Sequence, residues 1–295
     1  MLGRISTVTI TTPDLRASTA AYQRYLGYRV TDDGAVGRDL ARAWGRPPLA
    51  AARAVLMEPE SGADTYLRFV EAPTYLDYQP FACLGWNAAE LIVADIGELA
   101  RELAGAPFHV IGPPDGLSPS GPVRSLQVVG PSREVLYLTQ ASSQPPVLDS
   151  PEAASFVDRV FTVILGGTSL EGLQDYYQQQ HGLARAPVRP AVIPALSAQF
   201  GLPWDHLHPV AALRVPGQCC LEANEMPTGA RPRPCQPGQL PPGVAMVGFE
   251  VDRLPEAVVG ALGDIHRSTT LPYDGRRACA CVGAAGELIE LIEAG

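Results

Sequence analysis

Leu40-Ala41-Arg42-Ala43-Trp44-Gly45-Arg46-Pro47 returns in altered form as Leu196-Ser197-Ala198-Gln199-Phe200-Gly201-Leu202-Pro203, an offset of 156 residues (196 minus 40). Tyr22 and Gly27 reappear as Tyr177 and Gly182 at 155, and Glu71-Ala72-Pro73 as Glu225-Met226-Pro227 at 154. Near the end of each half, Arg124, Gly130, Glu134 and Leu138 match Arg277, Gly283, Glu287 and Leu291 at 153. Matches that keep one order while the offset drifts by single residues mark a duplication. The small, Pro-rich run from Ala141 to Pro151 reads as the join. Residues 1–140 and 156–295 are therefore expected to be two domains, with 141–155 as the linker.

Each half divides again. Val8-Thr9-Ile10 alternates as a strand, Asp14 is placed to cap a helix running to about Tyr25, and Gly27 closes it. Strands follow at 28–31, 54–58 and 65–71. The second quarter repeats the plan, with strands at 90–93, 124–129 and 134–139 around a helix at 96–104. The third and fourth quarters run strand 160–165, helix 172–180, strand 248–251, helix 254–262 and strand 288–292. The reading is α+β, with four βαβββ modules paired into two tandem cup-shaped, mixed-sheet domains.

Composition narrows the function. Thirty-one acidic residues stand against 22 Lys plus Arg in 295, for a net charge of −9 and no basic cluster. That balance repels phosphate backbones and anionic lipid, so neither nucleic acid nor membrane is an expected partner. No apolar run reaches the roughly 20 residues that span a bilayer, and the N-terminus lacks a signal-type apolar stretch. The six cysteines form no Cys-x-x-Cys pair, which suits reduced thiols and a cytoplasmic location. No phosphate loop, dinucleotide fingerprint or Ser/His/Asp spacing is present.

Four βαβββ modules in this order resemble the vicinal-oxygen-chelate superfamily, which includes glyoxalase I, bleomycin-resistance proteins and type I extradiol dioxygenases. The run Val8-Thr9-Ile10-Thr11-Thr12-Pro13-Asp14-Leu15 with Leu26-Gly27 looks like that superfamily's opening, and Gly286-Glu287-Leu288-Ile289-Glu290-Leu291 like its close. The resemblance implies modules 1 and 2 in one cup, modules 3 and 4 in another, and a site inside each cup. It also implies metal ligands on the first and last strand of a module. Those positions fall on Thr7, Ala88, Thr162 and Met246, and on Arg68, Tyr137, Glu222 and Glu290. A divalent ion needs three or four convergent N/O ligands. The N-terminal set offers none that fit and the C-terminal set only two carboxylates, so neither a metal nor another cofactor is expected.

Strand parity turns these side chains into the cups. Glu222 and Glu290, in one cup on this reading, would be an acid/base pair, since like charges in a partly dry cavity raise one pKa. The plainer alternative is remnants of an ancestral metal site. Arg68 and Tyr137 would hold a substrate carboxylate or phenolate, unless Arg68 simply pairs with Glu71. Thr7, Thr162 and Asn87 complete the candidate ligand contacts. His206 and His208 form the one His pair, most simply a loop feature, and Cys279 and Cys281 read as core.

The expected function is metal-independent acid/base chemistry, of isomerase or lyase type, on a small aromatic or oxygenated carbonyl compound. A non-catalytic, sequestering protein of the bleomycin-resistance type is the alternative, and a divergent metal-dependent ring-cleavage dioxygenase the third. Monomer and homodimer both remain open.

Overall fold

Asp14 accepts a hydrogen bond from the Ala17 N–H at 2.9 Å, and Gly27 adopts φ 68°, so capping sets the limits of helix α1 (Leu15–Leu26) as the sequence suggests. The same devices bound its repeat α4 (Leu170–His181), between Ser169 and Gly182. The computed structural model describes residues 1–111, 123–141 and 150–295. Most of the expected linker, 142–149, lies outside them.

Module 1 holds β1 (Leu2–Thr12), α1, β2 (Arg29–Ala35), a short α2 (Arg38–Ala43), β3 (Arg53–Glu58) and β4 (Tyr66–Glu71). Module 2 holds β5 (Gly85–Val93), α3 (Ile96–Glu102), β6 (His109–Val110), β7 (Val123–Val129) and β8 (Val135–Ala141). Module 3 follows with β9 (Val157–Gly167), α4, β10 (Arg189–Val192), α5 (Pro194–Gln199), β11 (Leu207–Val215) and β12 (Cys219–Glu225). Module 4 has β13 (Gly243–Val251), β14 (His266–Arg267), β15 (Arg277–Val282) and β16 (Leu288–Glu293).

The strands form two eight-stranded mixed sheets, as the four-module reading requires. Their composition corrects the expected pairing. One sheet runs β14-β15-β16-β13-β1-β4-β3-β2 and the other β10-β11-β12-β9-β5-β8-β7-β6. Module 1 thus pairs with module 4, and module 2 with module 3. The joints are antiparallel, with Thr7 opposite Gly248 across β1 and β13, and Glu90 opposite Thr162 across β5 and β9. Periodicity fixes which face of a first strand is apolar but not which other first strand it meets. Here Arg4 on β1 chelates the Glu250 carboxylate on β13 through two 2.9 Å hydrogen bonds.

One apolar core draws on both sheets and on α1, α3 and α4, with Val8, Phe69, Leu91, Val163, Leu221 and Phe249 all buried. Smaller clusters line the opposite faces, around Trp44, Met246 and Leu288 in one cup and Ala88, Tyr137 and Ile164 in the other. The helix expected at 254–262 does not form. Gly260, at φ 72°, turns the chain so that Leu262 N–H donates to Ala280 O and Val282 N–H to Gly260 O, extending the sheet edge instead.

Two repeat-related contacts tie the sheets together. Tyr22 on α1 donates to Glu134 Oε1 at 2.7 Å, and Tyr177 on α4 donates to Glu287 Oε1 at 2.8 Å. Each carboxyl also accepts from a backbone N–H of its own turn, Ser132 at 2.8 Å and Ala285 at 2.7 Å. Gly130 and Gly283 leave the room, since a Cβ on either would collide with the carboxyl group. Burial pushes the Glu134 carboxyl up to about 7 and raises Glu287, against the hydrogen bonds from Tyr22 and Tyr177. Tyr22→Phe removes the donor to a buried carboxyl and should cost about 1–3 kcal/mol in urea unfolding. Adding Tyr177→Phe should roughly double the loss, because the sites share no partner. Unmoved midpoints would refute the linkage.

Candidate functional site

In the cup of modules 1 and 4, β4 and β16 deliver Arg68 and Glu290 to one spot, with Nη2 3.2 Å from Oε2. Glu290 Oε1 also accepts from Trp44 Nε1 and from the Tyr273 hydroxyl, both at 2.7 Å. The guanidinium lies between two rings, 5.0 Å from the Trp44 centroid and 5.5 Å from that of Tyr273. Burial alone would raise the Glu290 pKa, but the Arg68 charge and the two hydrogen bonds outweigh it and hold the carboxyl below its usual range. A cavity of about 270 Å³ opens above, lined by Arg68, Trp44, Tyr273, His266, Ser268 and Thr270. His266 Nδ1 lies 3.0 Å from Ala278 O. Thr7 is buried in this sheet, and its Oγ1 meets no partner among the described residues.

This geometry corrects two expectations. Glu222 is in the other sheet, so it and Glu290 do not form a pair. Arg68 and Tyr137 are likewise in different cups, and the ion partner of Arg68 is Glu290, not Glu71.

The cup of modules 2 and 3 gathers Tyr137, Thr162 and Glu222 with a carboxyl that the sequence reading passed over, Glu90. Across β8, β5, β9 and β12 the register runs Tyr137, Glu90, Thr162, Cys220, and Glu222 follows two residues on, with the same parity. Glu90 Oε1 lies 2.6 Å from Thr139 Oγ1, itself 2.9 Å from Ser125 Oγ. Burial pushes the Glu90 pKa from an ordinary 4.5 up to about 7; the Glu222 charge adds to this, and hydrogen bonds from Thr139 and Thr162 oppose it. Burial also raises Glu222, with Asn224 opposing. Tyr137 is raised well above the usual phenol range by burial and by both carboxylates, and its hydroxyl has no partner among the described residues. Glu90, Thr162, Glu222, Cys220, Phe161 and Arg189 line a cavity of about 420 Å³. Asn87 is buried just before this face, its Nδ2 3.3 Å from Met226 Sδ. Glu90 was legible in principle, because it shares parity with Ala88, two residues before it on β5.

Among the described residues, neither cup offers a set of donors suited to a divalent metal. Modules 1 and 4 place Thr7, Arg68, Met246 and Glu290 at the ligand positions, and the one carboxylate is spent on a guanidinium. Modules 2 and 3 place Ala88, Tyr137, Thr162 and Glu222 there, again with one carboxylate. No group of three His, Cys, Asp or Glu side chains suited to a metal occurs among the described residues. His208 is buried with Nε2 2.9 Å from Ser197 Oγ, which makes it a core hydrogen-bonding group. Cys279 and Cys281 are buried in the core as expected.

Solved structures match this architecture along the whole chain. Glyoxalase I from Zea mays superposes with a TM-score of 0.60 at 14% identity, covering 98% of this chain and 92% of that one. A candidate dioxygenase from Bacillus subtilis gives 0.61 at 12% identity, with 99% and 85% covered. No family model and no curated protein sequence matches the chain. The chain thus has the vicinal-oxygen-chelate fold, in a four-module form with two cups. No helix among the described residues is long and apolar enough to cross a membrane.

Two outcomes follow for the charged groups. Glu290→Ala strands a buried guanidinium and should cost about 3–5 kcal/mol in urea unfolding, whereas the double change Arg68→Met with Glu290→Leu should recover most of that loss. A single variant as stable as wild type would show the pair to be solvated. The raised Glu90 pKa favours the protonated form in the fold. Its stabilising contribution is complete below about pH 4.5 and is lost as pH rises through about 7. The Tm advantage of Glu90→Gln over wild type should therefore grow from pH 5 to pH 8, and a gap independent of pH would contradict the shift.

Proposed function

We propose that the chain is a small-molecule enzyme of isomerase or lyase type, moving protons on an aromatic or oxygenated carbonyl compound in the cup of modules 2 and 3. The observation that carries this reading is the pair of carboxyls, Glu90 and Glu222, on one cavity, with Glu90 raised to about 7. Groups that titrate near the working pH are the efficient proton carriers, and two neighbouring carboxyls share one proton more readily than they both ionise.

Glu90 as the carboxylate takes a proton from the carbon beside the substrate carbonyl. The C–H electron pair moves onto the carbonyl oxygen, giving an enolate. On a substrate with a hydroxyl at that carbon, the hydroxyl proton moves to the enolate oxygen and Glu90 returns the proton it took to the former carbonyl carbon. This completes an isomerisation with no net change in atoms or charge. The Glu222 carboxylate keeps the Glu90 pKa high enough to give that proton back. Thr162 orients Glu90. No step is routed through a metal, because the groups at the ligand positions do not suit one.

A second reading, sequestration without turnover, draws support from the other cup, where Arg68 and Glu290 are locked on each other beside a pocket. Deuterium exchange at the α-carbon of 2-hydroxyacetophenone in D2O, followed by NMR, separates the two. Wild type should accelerate exchange, with a rate rising through about pH 7, and Glu90→Gln should slow it by about 100-fold or more at nearly unchanged affinity. Binding without exchange across a panel of small hydroxy-carbonyl compounds would favour sequestration and end the catalytic reading.

A further inference from the structure

Six prolines crowd the connection between β12 and β13, at positions 227, 232, 234, 237, 241 and 242. Proline carries no N–H, so such a segment leaves carbonyls in need of donors from elsewhere. Arg233 supplies several. Its Nη1 donates to Pro242 O at 3.0 Å and to Val244 O at 2.6 Å, and its Nη2 donates to Trp86 O at the start of β5. The guanidinium also lies 5.4 Å from the centre of the Tyr78 ring, and its Nε has no partner among the described residues. Carbonyl dipoles and a ring steady the group but do not neutralise it.

A second guanidinium arrives from module 1. Arg46, just after α2, donates from Nε to Gln239 O at 2.9 Å and from Nη1 to Gly45 O at 3.3 Å, while Nη2 makes no hydrogen bond among the described residues. Both arginines are half-buried, and both line one cavity of about 150 Å³ where β5, β13 and β16 begin. Neither has an ion pair among the described residues. The one acidic residue on the described wall, Glu287, has its carboxyl engaged by the Tyr177 hydroxyl and the Ala285 N–H. Half-buried charges are ordinarily paired, and this chain carries nine more acidic than basic residues to pair them with. The charge of Arg46 also reaches Cys235 on the same wall, where it opposes the rise in thiol pKa that burial causes.

We propose that this cavity binds a small dianionic oxyanion, a phosphate or the phosphoryl group of a monoester, between Arg46 and Arg233. One dianion neutralises two fixed positive charges, whereas a carboxylate leaves one of them unpaired. Guanidinium N–H groups also match the spacing of phosphate oxygens. The site is separate from both cups, since none of Arg68, Glu290, Glu90 and Glu222 lines it, and it does not depend on the chemistry of Glu90. An anion there joins module 1 to the β12–β13 connection, so its binding adds to the stability of the fold.

Thermal unfolding at pH 8 across a series of inorganic phosphate concentrations, with ionic strength held constant by sodium chloride, tests this. A saturable rise in Tm is expected, with acetate acting at least tenfold more weakly, and Arg46→Gln should weaken phosphate at least tenfold. Phosphate should also slow alkylation of Cys235 by iodoacetamide, because it covers that wall and offsets the Arg46 charge that favours the thiolate. Phenyl phosphate binding as well as inorganic phosphate would assign the site to monoesters, and binding of inorganic phosphate alone would assign it to the free ion. A Tm that follows ionic strength only, acetate as effective as phosphate, or a phosphate effect that survives Arg46→Gln would overturn the proposal. If Arg46→Gln does not fold, wild-type Cys235 left unprotected by phosphate overturns it equally.

Discussion

Two tyrosine hydroxyls on two buried carboxyls, Tyr22 on Glu134 and Tyr177 on Glu287, tie the four modules into one body. In each case a helix packed on one sheet reaches a turn belonging to the other. These contacts join modules within each half of the chain, while the β1–β13 and β5–β9 joints join modules of different halves. Neither half of the chain can complete a sheet alone, because its two first strands meet partners from the other half. Trp86 adds to the tie by donating its indole N–H to Leu288 O at 2.7 Å across the sheets. Separating the halves would break both joints, and separating the sheets would break both tyrosine contacts, so no division leaves a complete unit, a coupling that favours cooperative unfolding.

The crossed pairing also decides the chemistry of each cup. Arg68 and Glu222 occupy equivalent places in the repeat, as do Tyr137 and Glu290. Tandem pairing would have set two carboxylates together and left a guanidinium beside a phenol. Crossed pairing gives Arg68 a carboxylate and leaves Glu222 with Tyr137 and Glu90. One cup thereby becomes electrostatically closed, its ion pair held between two aromatic rings. The other keeps acidic groups that compete for a proton on a cavity wall.

Much of this was legible from residue type and spacing. Asp14 and Gly27 bound α1 where capping rules place them, and the repeat located every module. The match of Tyr22 with Tyr177 and of Glu134 with Glu287 identified both ends of the tying contacts, although nothing local says that a helix residue and a turn residue 112 positions apart will meet. The pairing of modules was misread because every first strand presents the same alternation, so periodicity is silent on the choice. Charge was not silent. A buried Arg68 required a carboxylate, and among the last-strand positions Glu290 or Glu222 had to supply it. The helix expected at 254–262 failed for a different reason, since pairing with β15 through Gly260 and Leu262 outweighed a moderate local propensity.

Glu90 and Glu134 are both pushed to about 7 by burial, yet they are not alike in what they can do. Glu134 holds hydrogen bonds from Tyr22 and from the Ser132 N–H, is fully buried, and lines neither cup cavity. Its raised pKa is a consequence of closing the turn. Glu90 faces open volume beside a second carboxyl and an unmatched phenol, so the same shift there leaves a proton in contact with whatever enters. A perturbed pKa marks burial; only the space in front of the group makes it a candidate for catalysis. The arrangement also sets a physical conflict. The pH rise that ionises Glu90 and makes it a base also charges Glu134, whose burial disfavours that form even though the hydrogen bonds from Tyr22 and Ser132 strengthen with it. Activity that depends on the Glu90 carboxylate therefore comes with a loss of fold stability that builds as pH rises from about 4.5 through about 7 and is complete above it.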